Sequence, residues 1–350
     1  MEHRRPHTEF YNVPATTDEF NGMPYRLVGK SGLRASNVGL GTWKMGYPET
    51  GDEARVDEKT SLAIFDRAVE LGVTFWDTAN RYNAASGNSE RIIGTWMDKN
   101  REQRRNVVIA TKVFGGMDGV TPNHSRLSRG NILDSTYACL ERMRLDYIDV
   151  LYFHRFEEDT PAEESLMAIE DLVRQDLIRY FAVSNFTVEQ LKLYQKVEKT
   201  ISGRCRVIAV QNKFDILTGE NSAQEGMLDY CAESGVSLIA YSPLARGLLT
   251  ERYLDVSNVG QGDRLYDEGI LNKFADNKAV MVKLQEIASL SKSWGYELSQ
   301  LSLAYMLTLP GMGPVIPSSS SVKQLESNAQ AGKIQLTDSQ IQEIQKILNK

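Results

Sequence analysis

The chain has 350 residues, of which 41% are apolar, 25% charged and 9% aromatic; this ordinary globular composition excludes disorder, collagen and coiled coil as descriptions of the whole chain. At about 150 residues per domain the length suggests two units, although single barrels routinely reach it. With 40 Lys+Arg against 46 Asp+Glu the net charge is -6, which gives no electrostatic reason to expect nucleic acid or another polyanion as partner.

In chain order, residues 1–23 read as a polar tail with Pro6, Pro14 and no apolar signal core. Apolar runs such as VVIA and YIDVLYF are far shorter than the roughly 18 residues that span a bilayer. The expectation is therefore a cytoplasmic protein with no membrane partner. Cys139, Cys205 and Cys231 are odd in number, widely spaced and in no CxxC arrangement, which suits reduced structural thiols.

Residues 24–350 read as one domain. The stretch from Pro24 turns around Gly29 to Gly32, the pattern of a β-hairpin. After it the chain repeats one unit: a short β-branched or aromatic run, a polar loop and an amphipathic helical stretch. A first strand at Val38 to Leu40 is followed by runs ending at Asp77, Lys112, His154, Asn185, Asn212, Ser242 and Pro317. Helical periodicity marks Lys59 to Leu71, Ser89 to Lys99, Arg129 to Arg142, Ala162 to Arg174, Val188 to Lys199, Gly226 to Ser234 and Lys278 to Ser293. Eight strands alternating with helices make an α/β protein with parallel β-α units. The GxGxxG fingerprint of an open dinucleotide-binding sheet is missing. A closed (β/α)8 TIM barrel with an N-terminal β-hairpin and extra C-terminal helices is therefore predicted, its chemistry lying beyond the carboxyl ends of the strands.

Those ends carry Asp77, with Tyr82 five residues on, then Lys112 and His154. Each alone has an ordinary explanation: a turn carboxylate, a packed tyrosine, a rim lysine, a core histidine. At matched positions on three consecutive strands they point to one mouth. Protonating a carbonyl oxygen as hydride arrives needs a general acid, and tyrosine normally titrates near 10. A lysine ammonium beside Tyr82 would favour its phenolate, and a carboxylate would hold that lysine charged. This assigns Tyr82 as acid, Lys112 as its tuner, Asp77 as the partner of Lys112 and His154 as the group orienting the substrate oxygen. No metal is expected, because no other His or Cys falls at ligand spacing near the four.

The sequence closely resembles the aldo-keto reductase family. The resemblance runs in order through GLGTW (Gly39 to Trp43), DTANRY (Asp77 to Tyr82), ATK ending at Lys112, LYFH ending at His154, VSNF (Val183 to Phe186), VQNKF (Val210 to Phe214), YSPLARGLL (Tyr241 to Leu249) and VIPSSSSVKQLESN (Val315 to Asn328). It implies a barrel binding an extended nicotinamide cofactor across its mouth, with Asp77, Tyr82, Lys112 and His154 as the catalytic tetrad. It also implies cofactor contacts at Gly41, Thr42 and Trp43, at Ser184, Asn185 and Gln211 for the carboxamide, and at Tyr241 for the nicotinamide face. The diphosphate falls to Ser242, Pro243 and Leu244, with Arg246 and Gly247 behind them, and the adenosine end to Ser318, Ser319, Ser320, Gln324 and Asn328.

The last segment departs from the family pattern, because serines stand where a basic residue usually grips the 2′-phosphate and Gln324 where an arginine is common. Hydroxyls and a helix amino end can hold a phosphate, but without charge assistance. NADP(H) is favoured on the resemblance, NAD(H) is the alternative, and Arg264 in the loop from Glu251 to Asn277 could supply the missing charge. Trp43, Phe114, Phe156 and Phe186 are expected to wall the substrate pocket. Asn80, Arg81, Asn83, Arg155 and Glu157 tilt the substrate toward a polyhydroxylated carbonyl compound or alcohol. Two rivals remain: a cofactor-sensing binding subunit of the same fold, and an unrelated barrel using Lys112 for a Schiff base. The oligomeric state is left open.

Overall fold

A computed structural model describes residues 16–117, 119–201, 203 and 205–350. Three short strands, β1 Glu19–Phe20, β2 Met23–Leu27 and β3 Arg34–Ser36, form an antiparallel sheet. The hairpin is the expected one, with Tyr25 opposite Ser36 and Leu27 opposite Arg34. Its first strand lies inside what reads from sequence as tail, so residues 19–23 belong to the sheet edge, while residues 1–15 lie outside the described residues.

Eight parallel strands follow: β4 Leu40–Gly41, β5 Phe75–Asp77, β6 Val108–Val113, β7 Ile148–Phe153, β8 Ile178–Ser184, β9 Val207–Asp215 with its antiparallel extension β10 Gly219–Glu220, then β11 Ser237–Tyr241 and β12 Met312–Ile316. They pair in the order β4, β5, β6, β7, β8, β9, β11, β12. Parallel bridges from Val38 to Val315 and from Gly41 to Ser318 close the ring. Closure depends on Gly39, whose amide donates to Val315 O at 2.9 Å and where a Cβ would lie 2.7 Å from Phe75 O. The predicted (β/α)8 barrel is the observed fold.

The helices are α1 Glu58–Glu70, the one-turn α2 Tyr82–Ala85, α3 Asn88–Lys99, α4 Arg129–Met143, α5 Ala162–Arg174, α6 Val188–Ile201, α7 Met227–Ser234, α8 Arg264–Asp267, α9 Leu271–Ala275, α10 Lys278–Ser293, α11 Leu298–Met306, α12 Val322–Ala331 and α13 Asp338–Leu348. The first shows how the sequence builds the outer layer. Asp57 caps it by accepting from the Thr60 amide at 2.8 Å. Its apolar face buries Ile64, Phe65 and Ala68, and Phe65 stacks on Trp76 at 4.4 Å while Trp96 meets Trp76 edge-on at 4.8 Å.

Two cores follow from the strand period of two. Outward residues pack beneath the helices. Inward residues Phe75, Ala110, Val150, Tyr152, Ala182, Ala209, Ile239 and Ile316 fill the barrel, and Val28 and Ala35 of the hairpin join them from the amino-terminal end. The Gly29 amide donates to Ser237 Oγ at 2.7 Å, fixing that plug. Among the described residues, the opposite mouth is the end that stays open, and the large cavity lies there.

Candidate active site

Continuing the inward series by two residues from Phe75, Ala110, Tyr152, Ala182, Ala209, Ile239 and Ile316 gives Asp77, Lys112, His154, Ser184, Gln211, Tyr241 and Ser318. The period of two thus delivers one ring of polar side chains to the open mouth. Lys112 is buried on its floor and donates from Nζ to Asp77 Oδ2 at 2.6 Å, to Tyr82 Oη at 2.8 Å and to the Thr78 carbonyl at 2.8 Å. Three acceptors use all the protons of the ammonium. Asp77 Oδ1 accepts from Gln211 Nε2 at 2.7 Å. The ring of His154 stands edge-on to Tyr82 with centroids 6.0 Å apart. The four expected residues are therefore brought together.

Tyr82 is held by unusual backbone: Asn83, Ala84 and Ala85 all have φ between 53° and 62°. Asn83 Nδ2 donates to Met45 O at 2.7 Å and Asn80 Nδ2 to Gly115 O at 3.1 Å, so neighbouring loops over-determine that conformation.

The electrostatics differ in one respect from expectation. Burial, and then the Asp77 carboxylate, raise the Tyr82 hydroxyl well above its ordinary value; the neighbouring Lys112 ammonium does not offset them. Tyr82 keeps its proton over the working range. Burial also lowers Lys112, against the pull of Asp77 and Glu90. Burial, together with the cations Lys112 and Arg155, lowers His154 to about 3, so its imidazole is neutral.

From this floor a cavity of about 1070 Å³ runs past Gly41, Trp43, Ser184, Asn185, Gln211 and Tyr241, over Ser242, Pro243, Leu244, Arg246 and Gly247, to Ser318, Ser319, Ser320, Gln324 and Asn328. Tyr241 donates its hydroxyl to Asn185 Oδ1 at 2.9 Å, and Asn185 Nδ2 donates to His154 O at 2.9 Å, tying the aromatic ring to the polar floor. Thr42 lies beneath the wall, its hydroxyl donating to Asp77 O at 3.0 Å. At the far end Gln324 Oε1 accepts from the Ser320 amide at 2.8 Å and hydroxyl at 2.9 Å, and Asn328 Nδ2 donates to Ser319 Oγ at 3.2 Å. Lys323 and Arg67 also reach this end, as do Glu297 and Glu326.

Arg264 lies in the wall with its guanidinium 4.9 Å from the Trp43 ring centroid. Its Nε donates to Glu268 Oε1 at 2.9 Å, Arg246 pairs with the other oxygen of Glu268, and Arg264 Nη2 is buried with no hydrogen-bond partner among the described residues. Asp267, on the same segment, pairs with Arg55 beyond β4, so this strap spans the cleft. An unpaired buried guanidinium donor facing an elongated cleft fits an anionic ligand such as a dinucleotide diphosphate.

Three expected wall residues are not brought to the cavity. Phe156 and Phe186 pack edge-to-face at 5.4 Å, and Phe186 meets Tyr194 at 5.1 Å in the helix-side core. Phe114 carries the Arg155 guanidinium over its face at 5.4 Å. Asn80 and Asn83 spend side-chain donors on the carbonyls of Gly115 and Met45, and Arg81 turns one guanidinium nitrogen to the Gly116 carbonyl, which lowers their weight for a polyhydroxylated substrate. Sequence reading missed Tyr152, Glu268 and Glu90. Tyr152 was findable, since it sits two residues before His154 on the inward face, with Lys112 Nζ 5.7 Å from its ring centroid.

Comparison with known proteins gives the family. The model of the aldo/keto reductase family matches residues 37–349. The chain is 31% identical to versiconal hemiacetal acetate reductase of Aspergillus parasiticus over 91% of this chain and 95% of that protein. It is 30% identical to L-glyceraldehyde 3-phosphate reductase of Escherichia coli over 91% and 90%, and 28% identical to a probable voltage-gated potassium channel subunit beta of Oryza sativa over 88% and 91%. The strand-end ring, the cleft it opens into and these matches lead to one conclusion: the chain belongs to the aldo/keto reductase family.

Proposed function

We propose that the protein is an NAD(P)(H)-dependent oxidoreductase interconverting an aldehyde or ketone and its alcohol, with Tyr82 as general acid/base. The observation that carries this reading is the Lys112 ammonium bonded at once to Asp77 at 2.6 Å and Tyr82 at 2.8 Å at the closed end of the cleft. The nicotinamide, when bound, supplies or accepts the hydride. Tyr82 Oη gives its proton to the carbonyl oxygen in reduction and recovers one in oxidation. Its raised value keeps the proton on Tyr82 before reaction, so the acid form needed for reduction is present, and the adjacent Lys112 ammonium stabilises the phenolate left behind. Neutral His154 hydrogen-bonds the substrate oxygen and sets its angle. Asp77 holds Lys112 charged, and Gln211 holds Asp77.

Ser184, Asn185, Gln211 and Tyr241 would hold the nicotinamide end, Ser242 to Leu244 with Arg246, Gly247 and Arg264 the diphosphate, and Ser318 to Ser320, Gln324 and Asn328 the adenosine. NADP(H) is preferred on the family resemblance and on Lys323 and Arg67 at that end; Glu297 and Glu326 beside them support NAD(H) as the competitor. The names of two relatives favour reduction as the direction. Cytoplasmic residence is consistent with three buried, unbridged cysteines. Among the described residues no helix is long and apolar enough to cross a membrane. Titration with NADPH and NADH, followed by tryptophan fluorescence at two salt concentrations, tests the cofactor assignment: NADPH binding that weakens with salt supports it, and binding of neither nucleotide overturns it.

The likeness to a potassium channel subunit gives the second reading, a cofactor-sensing subunit with little turnover. It requires a partner retained with one redox form of the nucleotide and released with the other, and no useful turnover on any carbonyl.

A further inference from the structure

Strand β6 places Lys112 inside the barrel and therefore Thr111 outside it. On the outer side Thr111 Oγ1 donates to Glu90 Oε1 at 2.6 Å, and Arg142 Nε donates to Glu90 Oε2 at 2.7 Å. Glu90 is fully buried, and Arg142 is 7% exposed. Arg142 Nη2 also reaches Cys139 Sγ at 3.4 Å. Glu90 opens α3, the helix that follows directly on the Tyr82 turn.

The residue before it completes a clamp. Ser89 Oγ lies 2.7 Å from Thr42 Oγ1 and 3.0 Å from Thr78 Oγ1, and the Thr78 carbonyl is an acceptor for Lys112. One turn of α3 thus grips both peptide segments that define the position of Lys112, through Thr78 on one side and Thr111 on the other. Contact with α4 fixes that turn. A Cβ on Gly94 would lie 2.3 Å from Arg142 O, and one on Gly87 2.8 Å from Arg142 Cδ.

Packing alone does not account for charge at this place, since well-packed apolar residues of similar volume commonly match or exceed the stability of a buried ion pair. The geometry points to Glu90 as a positioning residue for Lys112, acting from behind β6 to fix the lysine's register and to keep its ammonium charged beside Tyr82. The groups facing Lys112 are Asp77 on β5, Tyr82 on α2, Tyr152 on β7, His154 just beyond it and, through β6, Glu90 on α3. Both tyrosines are raised well above their ordinary values and His154 is lowered to about 3, so these three are neutral in the working range. Asp77 and Glu90 are the two carboxylates that hold Lys112 up against burial. Glu90 in turn faces Arg142 and Cys139 on α4, whose thiol is raised well above its usual range by burial.

This inference rests on the reading of Lys112 and Tyr82 as one relay, but it is tested without turnover. In cofactor-free protein labelled with 15N at lysine Nζ, and with the Lys112 signal identified by its loss in Lys112→Met, the titration of that ammonium is followed by NMR. Glu90→Gln keeps an acceptor for Thr111 and removes the charge, so the midpoint falls by about one pH unit. In Glu90→Gln/Arg142→Met the two members of the pair are replaced together, which costs less stability than removing the carboxylate alone, and the lowered midpoint persists. The double variant carries the test if the single one fails to fold. With NADPH and 4-nitrobenzaldehyde as probe, kcat falls about tenfold and its alkaline limb moves down, while nucleotide affinity is unchanged. A Lys112 midpoint equal to wild type in the folded variants overturns the proposal and leaves Glu90 a structural ion-pair partner. An active Tyr82→Phe variant would overturn the relay reading instead, and the NMR midpoint would still report on Glu90.

Discussion

Gln211 donates its side-chain amide to Asp77 Oδ1 at 2.7 Å, joining β9 to β5 directly across the barrel. With Lys112 on Oδ2, both oxygens of the buried carboxylate are occupied, and a rigid polar cross-brace underlies Tyr82.

Asp77→Asn breaks that brace and leaves the Lys112 ammonium buried without its counter-ion. Removing one partner of a buried pair costs about 3–5 kcal/mol. Denaturant unfolding should show a loss of that order, and kcat for reduction should fall by about two orders of magnitude with little change in nucleotide affinity. An unchanged unfolding midpoint would show that Asp77 and Lys112 are not mutually dependent.

Acid stability follows from His154. Its folded-state value is depressed to about 3 from 6.5 by burial and by Lys112 and Arg155. As pH falls, the unfolded chain therefore binds this proton first, and stability is lost progressively through the window from about 6.5 to 3. His154→Gln removes this contribution, so its unfolding free energy should fall less steeply with pH over that range, by about one proton's worth of slope. Parallel profiles for the two proteins would exclude the assignment.

The strap carrying Arg264 provides a measurement on cofactor binding. Arg264→Ala removes the unpaired donor beside Trp43. A hydrogen bond to a charged group contributes about 1.5–3 kcal/mol, so NADPH affinity should drop roughly 10- to 100-fold and its salt dependence should weaken. Equal affinity and equal salt slope would place the diphosphate elsewhere.

Gly94 separates local propensity from packing. By helix propensity alone Gly94→Ala in α3 would stabilise by about 1 kcal/mol. Here the new Cβ would sit 2.3 Å from Arg142 O, a backbone atom, so the substitution should destabilise by about 1–3 kcal/mol. Thermal unfolding decides the sign.

Much of this was legible in the chain itself. Asp77, Lys112 and His154 end their strands because inward alternation and barrel closure force them to one mouth, and the periodic stretches locate the helices they predict to within a few residues. The strand β1 was not legible, since two residues carry no period. Phe156 and Phe186 show why aromatic content is ambiguous: a ring after a strand serves equally as a pocket wall or as core, and only the position of Tyr194 decides it. The direction of the Tyr82 shift was also hidden. Sequence names the neighbouring charges, but burial, the larger cause, is a property of the assembled barrel. Glu90 and Glu268 gave no signal for the same reason, because their partners Arg142, Arg246 and Arg264 are brought to them by tertiary packing.

The central claim is that Tyr82 moves the proton. Its most direct test is the single-turnover oxidation of bound NADPH by 4-nitrobenzaldehyde in wild type and Tyr82→Phe, with the nucleotide saturating in both. The account predicts a rate lower by about two to four orders of magnitude in the variant, with nucleotide affinity preserved. A variant rate within a few-fold of wild type would contradict it.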